Sequence, residues 1–317
     1  MTVAAVLVGY AACVGTLGSR MLGRAGWTAR APLLAIVTYL AAAWSVVAAL
    51  ALAGLTLAIH ATALGGGLSS LIGACVLRLR DAYATPGGAT VAGLGLTLAG
   101  AVVTRTAVTA VSHLRAVRQH ALQHAQAARL VGRREPGLDA VLVDHAQPAS
   151  YCVAGPHPTV VLTTGALQAL DPDQLEAVLA HERAHLAYHH HRLLALARIG
   201  HQVLPFIPLM RDTATQIARL VELHADDAAT GTRGARPLAT ALVVLATAVS
   251  PAPAPGLGAA VTDTVQRIRR LLGPAEPLGR ARRHLLRASV AALAVTPVLL
   301  ALTPAMVALA LGRVPVS

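Results

Sequence analysis

The residues best placed to do chemistry in this chain are His181, Glu182 and His185, in the run Leu179 to His185, "LAHERAH". On a helix, His-Glu-x-x-His sets two imidazoles one turn apart on the same face. There they can share a zinc ion, while the Glu beside them can take a proton from a water that the metal acidifies. The chain carries 14 His, and at its His and Glu frequencies a chance match is expected at only about 0.01.

The elements around the motif fit that use. Asp171 is a natural N-cap, Pro172 suits the first helical position, and Gln174 completes a capping-box pattern. From there Leu175, Val178, Leu179, Leu186 and Leu193 recur at near-helical spacing, so a helix with a core-facing stripe is expected in the run from Asp171 to Gly200. Within such a helix His189, His190 and His191 diverge by about 100° each and cannot all face one ion.

A catalytic zinc keeps three protein ligands and one open position. Met210 to Thr230 reads as a second helix closed by Gly231, with Arg219, Glu222 and Asp226 at i, i+3 and i+7 on one face. Glu222 is the expected third ligand after His181 and His185. Glu182 is the expected general base, then acid to the leaving amine. Asp226 is placed to accept the second ring N–H of a ligand His. Arg219 either pairs with Glu222 or Asp226 or is an ordinary salt-bridge residue. His224, two residues from Glu222, is read as pointing elsewhere, as a surface His.

Composition sets the surroundings. At 55 % hydrophobic and 13 % charged, the 317 residues are too apolar for an ordinary soluble protein. Stretches 2–19, 32–59, 89–104 and 288–312 hold no charge, and about 20 apolar residues cross a bilayer. The third is expected to continue to about Ser112, with Arg105 reaching out to the interface. The first lacks the basic front end of a signal peptide. Arg20, Arg24 and Arg30 follow the first span without an acid, and a basic run follows the third, so the positive-inside rule sets the N-terminus outside and residues 113–284 in the cytoplasm.

The expected organisation is a three-helix membrane region (1–112, spans about 2–19, 32–59 and 89–112), a cytoplasmic unit (113–284), and a fourth span with a short outer tail (285–317). The net charge of +12 is carried entirely by Arg. With 3 % aromatics there is little to stack on bases, and the Arg cluster at membrane boundaries, so anionic lipid is the expected partner and nucleic acid is not. Cys13, Cys75 and Cys152 are far apart and offer no disulfide framework or CxxC metal site. A metal transporter would need His or acids inside the spans, and the four apolar stretches hold them only at their ends.

Ser112 to Arg134 reads as a polar juxtamembrane helix. Three strand-like runs follow, 138–144, 149–155 and 159–165. Such a small sheet can serve as a packing layer for the motif helix, and an edge strand can also hold an extended peptide beside the metal. The run "HHHRLLALARIGHQVLPFIPLM" loses polarity and is expected to dip to the membrane surface. A rigid "PAPAPG" loop (251–256) precedes a basic helix, "VTDTVQRIRRLLG" (261–273).

"AVLAHERAHL" followed by "PFIPLMRDTATQIARLVELHADDAA" resembles the BlaR/MecR-type integral-membrane zinc metallopeptidases, the antibiotic-sensor peptidases. The resemblance covers the whole topology and is most specific from about Ala149 to Thr230. It implies an α-helical integral membrane protein with four transmembrane helices and a cytoplasmic α+β zincin-like (gluzincin) domain with a small β-sheet. Zn2+ would be held by His181, His185 and Glu222, with Glu182 as base and Asp226 behind the ligands. HtpX-like and prenyl-protein endopeptidases share the pairing, and "QRIRRLL" is similar to a segment of theirs. In two respects the sequence departs from the pattern. His190 stands where many relatives have Asp, and no penicillin-binding sensor follows the fourth span, so β-lactam recognition is not expected. The implied activity is cleavage of a protein substrate, a DNA-binding repressor, in regulated proteolysis. The alternatives are membrane-protein quality control and a noncatalytic zinc-binding scaffold, and the intact Glu182 argues against the scaffold.

Overall fold

The computed structural model describes residues 2–58, 88–135, 137–155, 158–231, 234–248, 257–274 and 277–310. The loop between the second and third apolar stretches, Cys75 and "PAPAPG" lie outside them.

Among the described residues, four helices are long and apolar enough to cross a membrane: Thr2–Gly23, Pro32–Ala58, Gly88–Gln123 and Arg280–Pro304. The first comprises α1 (Thr2–Cys13), a π-helical turn (Val14–Gly18) and α2 (Ser19–Gly23). The others belong to α3 (Pro32–Ala58), α4 (Gly88–Val131) and, at the end of the chain, α11 (Arg280–Ala310). α3 is the central rod, packed against α1, α4 and α11. Its crossing with α4 is set by two glycines. A Cβ on Gly54 would come within 2.7 Å of the Gly95 carbonyl oxygen, and one on Gly95 within 2.6 Å of that of Gly54. Small residues at a crossing let two backbones approach where no hydrophobic effect drives them together. Leu94, Val103, Val108, Leu299 and Met306 face outward, a surface suited to lipid rather than water.

Beyond α4 the chain forms a four-stranded sheet in the order β1-β2-β4-β3. The strands are β1 (Gly132–Glu135), β2 (Ala140–Val143), β3 (Ser150–Val153) and β4 (Thr159–Thr163). β2 runs parallel to β4, and β1 and β3 are antiparallel edges. The three expected strands are present but shorter. β1 was not expected, since Arg133 and Arg134 sit in what the sequence reads as helix.

After α5 (Thr164–Ala169) comes α6 (Pro172–Ala187), capped as anticipated: Asp171 accepts from the Gln174 N–H at 2.8 Å and the Gln174 side chain accepts from the Asp171 N–H at 3.0 Å. The expected run to Gly200 is not one helix. It breaks at His189, whose φ of 52° is left-handed, and restarts as α7 (His190–Val203). α8 (Pro208–Ala229) returns beside α6, followed by α9 (Arg236–Ala248) and α10 (Leu257–Leu272).

The segment between α7 and α8 does more than graze a surface. Val203, Leu204, Leu209 and Met210 share one buried cluster with Leu7, Tyr39 and Val46 of the apolar helices, while Phe206 is 74 % exposed. Ser19 of α2 donates to Asp212 of α8. Arg105 does not simply extend outward. Its Nε and Nη2 donate to the Val203 and Gln202 carbonyls at 2.8 Å each, satisfying groups the end of α7 leaves without helical partners.

Candidate metal centre

α6 and α8 pack side by side, and their facing surfaces carry the chemistry. One-turn spacing on α6 brings His181 Nε2 and His185 Nε2 within 3.1 Å. Glu222, on the first turn of the last third of α8, sets Oε2 3.4 Å from His181 Nε2 and Oε1 3.5 Å from His185 Nε2. Among the described residues, His181, His185 and Glu222 are the group whose donor atoms converge, all within 4.8 Å of one another. Zinc held at about 2.0–2.1 Å by tetrahedral nitrogen and oxygen donors needs those donors about 3.3 Å apart. The donor types and spacings therefore fit a zinc ion, which would leave a fourth position open.

Behind the donors lies a network only partly anticipated. Asp226, with 0 % exposure, is held bidentately by Arg267 of α10, from Nε at 2.9 Å and Nη2 at 2.6 Å, and Arg267 Nη1 lies 3.0 Å from Glu222 Oε2. Asp226 Oδ1 is 3.1 Å from His181 Nδ1 but out of line for a hydrogen bond, so this buried nitrogen has no aligned acceptor. Arg219, read either as a partner of Glu222 or Asp226 or as an ordinary salt-bridge residue, donates to Gln266 at 3.2 Å. The partner of both acids is Arg267, and "QRIRRLL" was its only trace in the sequence.

His185 has a partner of a different kind. The break at His189 turns His190 inward, to 1 % exposure, where its Nδ1 is 2.9 Å from His185 Nδ1 and its Nε2 is 2.9 Å from His224 Nδ1. His224 is thus not a surface residue pointing elsewhere; it ends a three-imidazole chain. If His185 offers Nε2 to a metal, its Nδ1 holds the proton and donates to His190, which in turn donates from Nε2 to His224. One ligand role fixes all three tautomers.

Glu182 sits on the sheet side. Ser150, on edge strand β3, donates to Glu182 Oε1 at 3.1 Å, leaving the other oxygen uncommitted to that bond. Burial raises the Glu182 carboxyl above its ordinary value, against the attraction of His181. Cys152, two residues along β3, is pushed up to about 12 by burial and by Glu182. Burial opposes charge on His181, yet the carboxylates of Asp226 and Glu222 close beside the ring override it and raise it to about 9. Burial would raise Glu222 and Asp226, but their basic neighbours outweigh it, His181 first for Glu222 and Arg267 first for Asp226, and both carboxyls are lowered. Burial lowers His185 to about 4 and His190 to about 3. The cluster favours a cation between His181 and Glu222.

Two histidines from one helix, a carboxylate from the next and a half-buried carboxylate beside them are the donor set and base that metal-dependent peptidases use. The comparison of sequences narrows that class. The pattern of Peptidase family M48 matches residues 113–275, just over half of the chain, and the chain belongs to that family. No curated protein and no solved structure matches the chain significantly.

Proposed function

We propose that this chain is a membrane-embedded zinc endopeptidase whose active site faces the cytoplasm and hydrolyses peptide bonds of a protein substrate, a DNA-binding repressor, in regulated proteolysis. His181, His185 and Glu222 would hold the zinc. The observation that carries the reading is the convergence of these three donors with Glu182 beside them, inside a region that matches a peptidase family. Zinc supplies Lewis-acid polarisation of a carbonyl and acidification of water.

The chain's own residues do the rest. Glu182, raised by burial, is suited to accept a proton from water near neutral pH and return it to the leaving amine. Ser150 holds one of its oxygens and so orients the carboxylate. The outer edge of β3 is not paired with another described strand, and β3 lies against α6, so an extended substrate strand added there by main-chain hydrogen bonds would run past Glu182. The spans, the arginines Arg20, Arg24 and Arg30 ahead of α3, and Arg280, Arg282, Arg283 and Arg287 at the start of α11 support an N-terminus outside and residues 113–284 inside.

The test compares new protein N-termini in cells producing the wild type or Glu182→Gln. One or two Glu182-dependent cuts in a DNA-binding protein are expected. Many cuts across membrane proteins would replace the regulatory reading with quality control, and no Glu182-dependent cut under any envelope stress would leave a scaffold.

A further inference from the structure

A cavity of about 460 Å3 that His224 helps to line lies between the N-terminal ends of α3 and α11. Its walls carry Arg30, Arg283 and Arg287 around an apolar floor that includes Leu33 and Val37. Asp227 also reaches it, but its carboxylate is bound by Arg270 at 2.7 and 2.9 Å, so it does not neutralise Arg283 or Arg287. Arg283 and Arg287 are one turn apart on α11 and exposed, and no acid among the described residues pairs with either. The first turn of α3 adds backbone N–H groups of Leu33 and Leu34, which precede the first possible helical acceptors, and the positive end of its dipole. Leu33 and Val37 are themselves exposed, so the floor continues onto the outward face of α3.

We propose that this cavity seats the phosphate of an anionic phospholipid of the inner leaflet, with its acyl chain along Leu33 and Val37. The proposal rests on reading α3 and α11 as membrane spans. The charges of Arg283 and Arg287, a helix N-terminus and an apolar exit between two span ends complement an anionic headgroup whose tail stays in the bilayer. A soluble phosphate would use the arginines and leave the floor idle. The location gives the lipid a path to the metal centre: His224 lines the cavity and contacts His190, which contacts His185.

The test uses the full-length protein in detergent, with lipid retention read by native mass spectrometry against phosphatidylglycerol and phosphatidylcholine of identical chains. The wild type should retain phosphatidylglycerol about tenfold better or more. Arg283→Gln/Arg287→Gln should abolish the preference, whereas Arg280→Gln/Arg282→Gln, which removes the same charge from the same helix outside the cavity, should keep it. Equal loss in both pairs would reduce the effect to general surface charge and overturn the proposal. So would retention of phosphatidylcholine as tight as that of phosphatidylglycerol, or displacement of the lipid by millimolar inorganic phosphate. Should the first pair fail to fold, photo-crosslinking of the wild type with a diazirine phosphatidylglycerol decides: labels on peptides containing Leu33 to Val37 are expected, and labels confined elsewhere sink the idea.

Discussion

Replacing Arg267 by Met isolates what holds the acidic side of the metal centre in place. The change keeps the aliphatic stem and removes a guanidinium that makes two hydrogen bonds to Asp226, at 2.9 and 2.6 Å, and lies 3.0 Å from Glu222. Asp226 has no exposed surface, so water cannot take over. Removing one partner of such a buried pair costs about 3–5 kcal/mol, because the other charge is left uncompensated. In a folded unit of roughly 150–200 residues that is a fall of about 6–20 °C in the unfolding midpoint. The assay is thermal unfolding of the detergent-solubilised protein, read by thiol labelling in a Cys13→Ser/Cys75→Ser background. Cys152 is then the only thiol, and in the folded protein burial beside Glu182 keeps it protonated and unreactive. Arg267→Met/Asp226→Leu should recover much of the loss, since it removes both charges together. An Arg267→Met midpoint within 1–2 °C of wild type, with and without zinc, would put the pair in the class of exposed salt bridges, at about 1 kcal/mol or less, and refute the reasoning.

Further outcomes are expected for the residues around the metal centre. Glu182→Gln should keep stoichiometric zinc by metal analysis while peptide cleavage falls about 10²–10⁴-fold, and Glu222→Ala should lose most of its zinc; full zinc in the latter would mean another third ligand. His190→Leu should weaken zinc binding about 10–100-fold in chelator competition, because His185 loses the partner of its Nδ1. His181, raised to about 9 from an ordinary value of 6.5, stabilises the metal-free protein fully below that ordinary value and loses the contribution as pH rises through 9. Chelated protein should therefore unfold more readily across that alkaline window and zinc-saturated protein should not. Ser150→Ala should lower cleavage severalfold and leave zinc content unchanged.

How far the site could be read from the sequence depended on whether its contacts were local. The capping box at Asp171 and Gln174 and the one-turn pairing of His181 and His185 are fixed by residues within a few positions of one another, and they stand as expected. Glu222 was placed by its acidic neighbourhood on a second helix. The supporting residues were hidden for identifiable reasons. Arg267 meets Asp226 across 41 positions, and only the packing of α10 on α8 joins them. His190 was judged by the angles of an unbroken helix, and one left-handed residue, His189, changed its direction. β1 carries Gly-Arg-Arg-Glu, with no apolar alternation to reveal a strand, and is recruited by its pairing with β2.

The hydrogen bond between Ser19 and Asp212 joins α2 to the beginning of α8, while Glu222 sits ten residues further along the same α8. An α-helix rises about 1.5 Å per residue and resists bending, so the two points are fixed ends of a rod about 15 Å long. The histidines stand on a different rod, α6, anchored through its cap and the sheet. A tilt of the first apolar helix would thus be delivered to the carboxylate more directly than to the imidazoles, and would open or narrow the gap between them as a pair of pliers does. With that helix spanning a bilayer as proposed, bilayer thickness and tension would act on the handle.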